Sequence, residues 1–596
     1  MPSSSLDRRT FLKGATAAAV APAILSCEPE EGPRPETPLF TLGIASGDPD
    51  HESVVLWTRL APDPLNGGGM PDRPVMVLWE VARSRGMRDV VAAGMTMALP
   101  ENGHAVHAVA TGLEPDRWYW YRFRALGETS PLGQTRTFPH PQSDPRRLRF
   151  ALASCQHYQD GFFPAYRDMI AQDLDFVMHV GDYIYENGPT GNPIAPGRVH
   201  ASPEVVSLVE YRNRYAQYKL DPDLQAAHRE LPFIVTWDDH EVDNNYAGLA
   251  APEGSPYQGA AFAARRRAAY QAYAEAMPLR PKNRFLRGDG EMRIHRRLSF
   301  GRLADLHVLD TRQFRTDQPT RDGLGSTDPD ITPSDAALLD RAFGEPIFDR
   351  AALLDPASTM LGFEQEAWLA ANLENSQAHW NVLAQQVMVM PWNLLAVAQL
   401  QLALTIPLPA AEKAAASAAL AKVKDILNVD GWDGAQAARG RLLQMLSNLR
   451  PNNPVVLTGD VHSAWASNLF ADFDDPASDI VAAEFVCTGI ASAFRDRDPR
   501  SLDPIVRFIL GDNPHIEFFN SLYRGYCVCD VTDDLWRTEY RGVGSLADLT
   551  SPDPAALIPM PGKAVETDAV LSIVSGFNAP GSADRIVTES ARVPTR

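Results

Sequence analysis

LDFVMHVGDYIYE, from Leu174 to Glu186, joins a run that reads as a buried strand to a loop bearing a carboxylate and a phenol. Two other stretches follow the same plan: LPFIVTWDDHE, Leu231 to Glu241, and NPVVLTGDVHS, Asn453 to Ser463. Short unbroken apolar runs fit strands covered on both faces, and polar donors at their exits are how an α/β sheet gathers ligands from distant parts of a chain at one edge. Three such exits predict a metal site in an α/β core.

Working outward, strands alternate with helical patterns over residues 148–538, the expected catalytic unit. Helices are predicted over Phe162 to Gln172, Pro203 to Tyr218, Ala260 to Glu275, Phe363 to Asn375 and Gln436 to Asn448. The Ala- and Leu-rich stretch from Leu394 to Leu427, broken at Pro407 and Pro409, reads as a structural insertion, with a helical lid as the alternative. Residues 39–140 carry short β runs with alternating aromatics (SVVLWTRL, VMVLWEVAR, AVHAVATGL, WYWYRFRAL), which predict a small all-β sandwich without a ligand cluster. The remainder, residues 539–596, is Pro- and Ala-rich from Ser545 on and is expected to wrap the surface loosely.

The first 27 residues read as an export signal. Arg8-Arg9 precede Thr10-Phe11-Leu12-Lys13 and a short Ala-rich apolar stretch, the pattern of a twin-arginine leader, and residues 28–38 form a Pro- and Glu-rich linker. Cleavage after Ala23 releases a soluble periplasmic or secreted protein; the imperfect lipobox ending at Cys27 offers a lipid anchor instead. The 55 basic and 75 acidic residues give a net charge of −20, which argues against general affinity for nucleic acid or anionic membrane. A small anionic substrate then needs a local positive site, and metal ions supply one. With five scattered cysteines, no disulfide framework is expected.

Asp182 and Tyr185, three apart, can converge on one ion if their loop begins a helical turn. Asp239, and Asp460 with His462, emerge from the other two strands, and their carboxylates suit a pair of ions set ~3.5–4 Å apart, as in two-metal hydrolases. Cys155, after the strand FALAS, reads as a core residue, a nucleophile or a thiolate ligand. The absence of a GxSxG elbow from the core and of a GxxxxGK[ST] loop argues against a serine hydrolase and a nucleotide-driven enzyme.

These residues resemble the PhoD-like alkaline phosphatase family of metallophosphatases. The likeness lies in SCQ (Ser154 to Gln156), GDYIYE, the long stretch from Tyr211 to Asn245, VLDTRQFR (Val308 to Arg315), AQQVMVMP (Ala384 to Pro391) and GDVHS, and extends to the leader and to Phe40 to Leu60. The resemblance implies a metallophosphatase core, a β-sandwich flanked by helices, behind an N-terminal all-β sandwich. It implies a ferric ion held by Cys155, Asp182, Tyr185 and His462, and a calcium ion held by Asp239 and Asp460 and bridged by Asp182. Asp238 and Asn245 are candidates for a further calcium, Asp243 is set aside, and Arg212 or Arg312 is expected to clamp phosphate oxygens. The expected function is hydrolysis of phosphomonoesters, with diesters as further substrates. The alternatives are a phosphodiesterase or phospholipase D acting on lipid or wall polymers, and a surface binding protein that keeps its metals for structure.

Overall fold

The computed structural model of the chain describes residues 37–592, apart from 192, 253, 289, 320–323, 344–346, 348, 405, 476, 493–508, 545–557 and 583. The expected leader, Cys27 and nearly all of the linker lie outside the described residues.

Strands Leu148–Ala153, Phe176–His179 and Phe233–Val235 run parallel, side by side, in the middle of a ten-stranded sheet. Their side chains alternate between two apolar clusters, as the pleat requires. Phe150, Leu152, Phe176, Met178 and Ile234 join a cluster shared with a second, seven-stranded sheet. Ala151, Ala153, Val177, Phe233 and Val235 join another, shared with helices Leu208–Lys219, Pro222–Glu230 and Ala260–Ala276. The second sheet also has a parallel centre, Ala304–Val308, Trp380–Ala384, Pro454–Thr458 and Ile480–Val486. Helices Phe363–Asn375 and Gln436–Leu449 add Leu369, Leu373, Leu442 and Leu446 to the shared cluster. Two mixed sheets with helices packed against them form the core.

The N-terminal region is a small sandwich, but it is not a free-standing one. Strands Val90–Ala98, Val75–Ala82 and Trp118–Ala125 lie side by side in its own sheet, with Val90–Ala98 at the edge. The opposing face is made by Ile44–Gly47, Ser53–Arg59 and Ala105–Thr111, which belong to the ten-stranded sheet of the core. Gly47 pairs with Phe233 in parallel, where an added Cβ would meet the Phe233 carbonyl at 2.4 Å. Trp57 Nε1 also donates to the Glu275 carbonyl at 2.7 Å.

The expectation for the C-terminal region is corrected. The boundary at 538 cuts the strand Leu535–Val543, and the C-terminal region adds Val565–Val574 and Val587–Ala591 to the same sheet rather than wrapping loosely. Alternating apolar residues such as Leu571 and Ile573 pay for this by burying themselves in the shared core. The Ala-rich stretch forms helices Leu395–Leu404 and Ala410–Leu420, which with Pro333–Phe343 enclose a separate core around Leu339, Leu402, Ala416 and Leu420.

Candidate metal centre

Every donor loop begins at the carboxyl end of a parallel strand, where peptide groups run out of ladder partners and side chains can converge. Cys155 follows Leu148–Ala153, Asp182 follows Phe176–His179, and Asp238 and Asp239 follow Phe233–Val235. From the second sheet, Arg312 follows Ala304–Val308, and Asp460 and His462 follow Pro454–Thr458. Cys155, Asp182, Asp460 and His462 all have left-handed backbones, with φ of 55°, 55°, 65° and 55°. Non-glycine residues adopt this region at a cost, and a run of such residues in one site marks backbone held for function.

Close approach of the loops depends on glycine. A Cβ on Gly181 would lie 2.4 Å from the Asp238 Cβ, and one on Gly459 would lie 2.5 Å from Ser154 Oγ. Glu241 then locks two loops together: its carboxylate accepts the backbone N–H of Asp182 at 3.1 Å, Tyr183 at 2.5 Å and Asp238 at 2.7 Å.

The donors fall into three overlapping groups, each with its candidate ligand atoms within 4.8 Å of one another: Cys155, Asp182 and His462; Asp182, Asp239 and His240; Asp238, Asp239 and Asp460. Tyr185 Oη joins the first, donating to Asp182 Oδ2 at 3.0 Å and lying 3.1 Å from His462 Nε2 and 2.7 Å from Ser492 Oγ. Asp182 belongs to two groups and so stands between a thiol, phenol and imidazole side and a carboxylate side. Asp182 Oδ1, Asp238 Oδ2 and Asp239 Oδ1 are buried without hydrogen-bond partners. Buried carboxylate oxygens left this way are costly unless a cation meets them, so the donor set fits metal ions.

Electrostatics agree. Burial drives Asp182, with Asp239 and Asp238 beside it, far above the carboxylate range, and burial drives Asp460 up in the same way. Burial pushes Asp238 to about 7, against the pull of Arg312. Asp239 is buried too, but Arg312, His240 and the Asn245 N–H together take it below its usual value. Burial next to Asp182 raises both the Cys155 thiol and the Tyr185 phenol. The pocket thus resists negative charge until positive charge is supplied.

Sequence reasoning missed several residues. Asp430, past the Ala-rich insertion in no recognisable motif, accepts paired 2.8 Å bonds from Arg312 and a 3.2 Å bond from Arg315. Arg312 Nη2 is also 3.6 Å from both Asp239 and Asp460. His240 Nδ1 lies 2.7 Å from Glu186. Arg212 is not brought to the cluster: its guanidinium makes two bonds to Glu275, 2.6 and 2.7 Å, and one to the Glu101 carbonyl, fastening a helix to the N-terminal region. Asn245 is near by its backbone, whose N–H donates to Asp239 at 2.7 Å. Asp243 pairs with Arg265 at 2.6 Å.

Comparison with known proteins matches residues 150–540 to the PhoD-like phosphatase family and residues 26–139 to the PhoD-like phosphatase N-terminal domain. The chain is 44% identical over 552 residues to alkaline phosphatase D of Bacillus subtilis (strain 168), covering 90% of this chain and 84% of that protein. A solved structure described as PhoD superposes with a TM-score of 0.77 at 41% identity, covering 94% of each chain.

Proposed function

The chain belongs to the PhoD-like phosphatase family and is a phosphoric ester hydrolase, and from that premise we propose an exported, metal-dependent alkaline phosphatase that favours phosphomonoesters. One observation supports metal dependence above the rest: seven acidic, thiol and imidazole side chains converge while three of their buried carboxylate oxygens lack hydrogen bonds. In this reading Cys155, Asp182, Tyr185 and His462 would hold a ferric ion, a hard cation suited to the anionic oxygen donors of Asp182 and Tyr185. Asp239, Asp460 and Asp182 would hold calcium through oxygen alone, and Asp238 and Asn245 are the candidates for a second calcium. Bound there, the cations supply Lewis acidity toward phosphate oxygens and offset the charge that develops on them.

The protein's own groups do the rest. Arg312, fully buried and gripped by Asp430, fixes the carboxylates of Asp238, Asp239 and Asp460 in place. His240, with Nδ1 on Glu186 and a ring nitrogen grouped with Asp182 and Asp239, is the residue that would hold a proton for the departing alkoxide. Among the described residues no helix is long and apolar enough to cross a membrane. The twin-arginine leader and the Cys27 anchor remain part of the proposal.

Metal analysis of the purified protein, with rates on 4-nitrophenyl phosphate and bis(4-nitrophenyl) phosphate, tests this reading. Iron and calcium with faster monoester turnover are expected. Faster diester turnover would favour the phosphodiesterase alternative, and full activity without any bound metal would refute the proposal.

A further inference from the structure

Strand Ile480–Val486 runs parallel to Pro454–Thr458 with Val486 against Thr458, so both end at the same edge of the second sheet. Pro454–Thr458 exits into Asp460 and His462, whereas Ile480–Val486 exits into CTGIAS, Cys487 to Ser492, which carries no charged side chain. The backbone of this stretch docks on the Cys155 loop. The N–H of Ile490 donates to the Ser154 carbonyl at 3.0 Å, and those of Ala491 and Ser492 donate to the Cys155 carbonyl at 3.3 and 3.1 Å. Gly489 permits the approach, since a Cβ there would lie 3.0 Å from the Cys155 carbonyl oxygen. The docking delivers one hydroxyl, that of the fully buried Ser492, to the donor cluster.

Among the described residues that hydroxyl has two partners. The backbone N–H of His157, which can only donate, reaches Ser492 Oγ at 3.1 Å, and Tyr185 Oη lies 2.7 Å from it. A hydroxyl has one proton and two lone pairs. With a lone pair taken by His157, the Ser492 proton goes to the other oxygen in reach, Tyr185 Oη. A protonated phenol sends its own proton to Asp182 Oδ2 at 3.0 Å and leaves Oη free to accept. A deprotonated one accepts more strongly still, because hydrogen bonds to charged groups are roughly twice as strong as neutral ones. Burial, with Asp182 and Cys155 beside it, resists negative charge on Tyr185, and the Ser492 bond acts in the opposite direction.

We propose that Ser492 is a positioning residue of the metal centre: its hydroxyl donates to Tyr185 Oη, stabilising the phenolate that a cation needs and holding that oxygen beside Asp182 and His462. The inference rests on the ferric reading of Tyr185 and gives that side of the centre a support that lies in none of the three strand-exit motifs.

Ser492→Ala in the full-length protein deletes the donor without adding bulk. Electron density that the hydroxyl drew from the phenolate returns to it and raises its filled orbitals, so the phenolate-to-iron absorption, measured per bound iron, should move to longer wavelength. Glu241→Gln is the control: it loosens the Asp182 loop without touching Tyr185 Oη, and the iron it retains should absorb at the wild-type wavelength. A shift in Ser492→Ala alone upholds the proposal; an unshifted band, or an equal shift in the control, overturns it. Competition with EDTA gives a second readout. The cation lost in Tyr185→Phe is the one at issue, and Ser492→Ala should bind it about tenfold more weakly, the low end of what removing the partner of a metal ligand does. This readout decides where the variant holds too little iron for a spectrum, and also where the wild type is colourless and iron-free, an outcome that defeats the ferric reading. Weakening confined to the Tyr185-dependent cation then upholds the proposal, and equal weakening of every bound cation, or of none, overturns it. If no cation depends on Tyr185, the proposal and the ferric reading fall together.

Discussion

Asp430 and Arg312 face each other through two parallel 2.8 Å bonds, Nη1 to Oδ1 and Nη2 to Oδ2, in a fully buried setting. Removing one partner of a buried pair costs up to about 3–5 kcal/mol, and here Asp238 stays on Arg312 Nε to offset part of it. Asp430→Ala should lower unfolding stability by about 1–3 kcal/mol and reduce kcat, because Arg312 loses the anchor that aims it at Asp239 and Asp460. An unchanged urea midpoint with wild-type kcat would show the pair to be idle.

Glu241 holds three backbone N–H groups with one carboxylate. Glu241→Gln turns an acceptor into a donor opposite those groups, and a buried unsatisfied group costs about 1–3 kcal/mol. Metal content should fall with activity, since the Asp182 and Asp238 loops lose their common clamp. Full metal occupancy in the variant would contradict this.

Tyr185 and Tyr183 separate the spectroscopic prediction. If iron is ferric and phenolate-bound, the protein should be coloured, and Tyr185→Phe should bleach the band. Tyr183→Phe should keep it, because that hydroxyl is spent elsewhere, 2.7 Å from His228 and 3.2 Å from Lys219. A colourless, iron-free wild type would sink the ferric assignment and leave the other cation untouched.

Asp568 lies far along the chain from the donors and titrates on its own account. Burial lifts it to about 7, against Arg592 and the bond from Asn520. Its folded value exceeds its unfolded one, so the native state binds the extra proton between roughly pH 4 and 7, and stability falls as pH rises through that window. Asp568→Asn lacks this term. The stability of wild type relative to the variant should therefore be greater at pH 5 than at pH 8, by on the order of 2–4 kcal/mol; equal differences in urea unfolding at both pH values would refute it.

Deleting residues 39–138 should leave the core insoluble. The cut strips three strands from the ten-stranded sheet and bares the edge of Phe233–Val235, and unprotected edges aggregate. A soluble, active truncation would show that the sheets are separable.

Much of this was legible in the sequence, for local reasons. Strand exits at Asp182, Asp239 and Asp460 announce themselves because strand and donor are contiguous, and the helix Phe363–Asn375 has the predicted ends because its pattern stops at Gly362 and Ser376. Asp430 was invisible because its partner is 118 residues away and nothing local marks it. Arg212 misled because a motif gives proximity along the chain, whereas its side chain leaves the opposite side of its helix toward Glu275. The shared sheet escaped notice for a similar reason: period-two alternation tells which face a strand buries, not which strand lies beside it.

Leu152, near the centre of the molecule, pairs on one side with Met178 and on the other with Cys527. The strand that carries Leu152 into the donor loop thus waits for a neighbour made some 375 residues later, beyond which three more strands must still be added. All the donors have been synthesised once His462 is added, yet the strand under the Cys155 loop gains its outer neighbour only when the last seventy or so residues emerge, so the sheet that holds the donors is completed only at the end of synthesis.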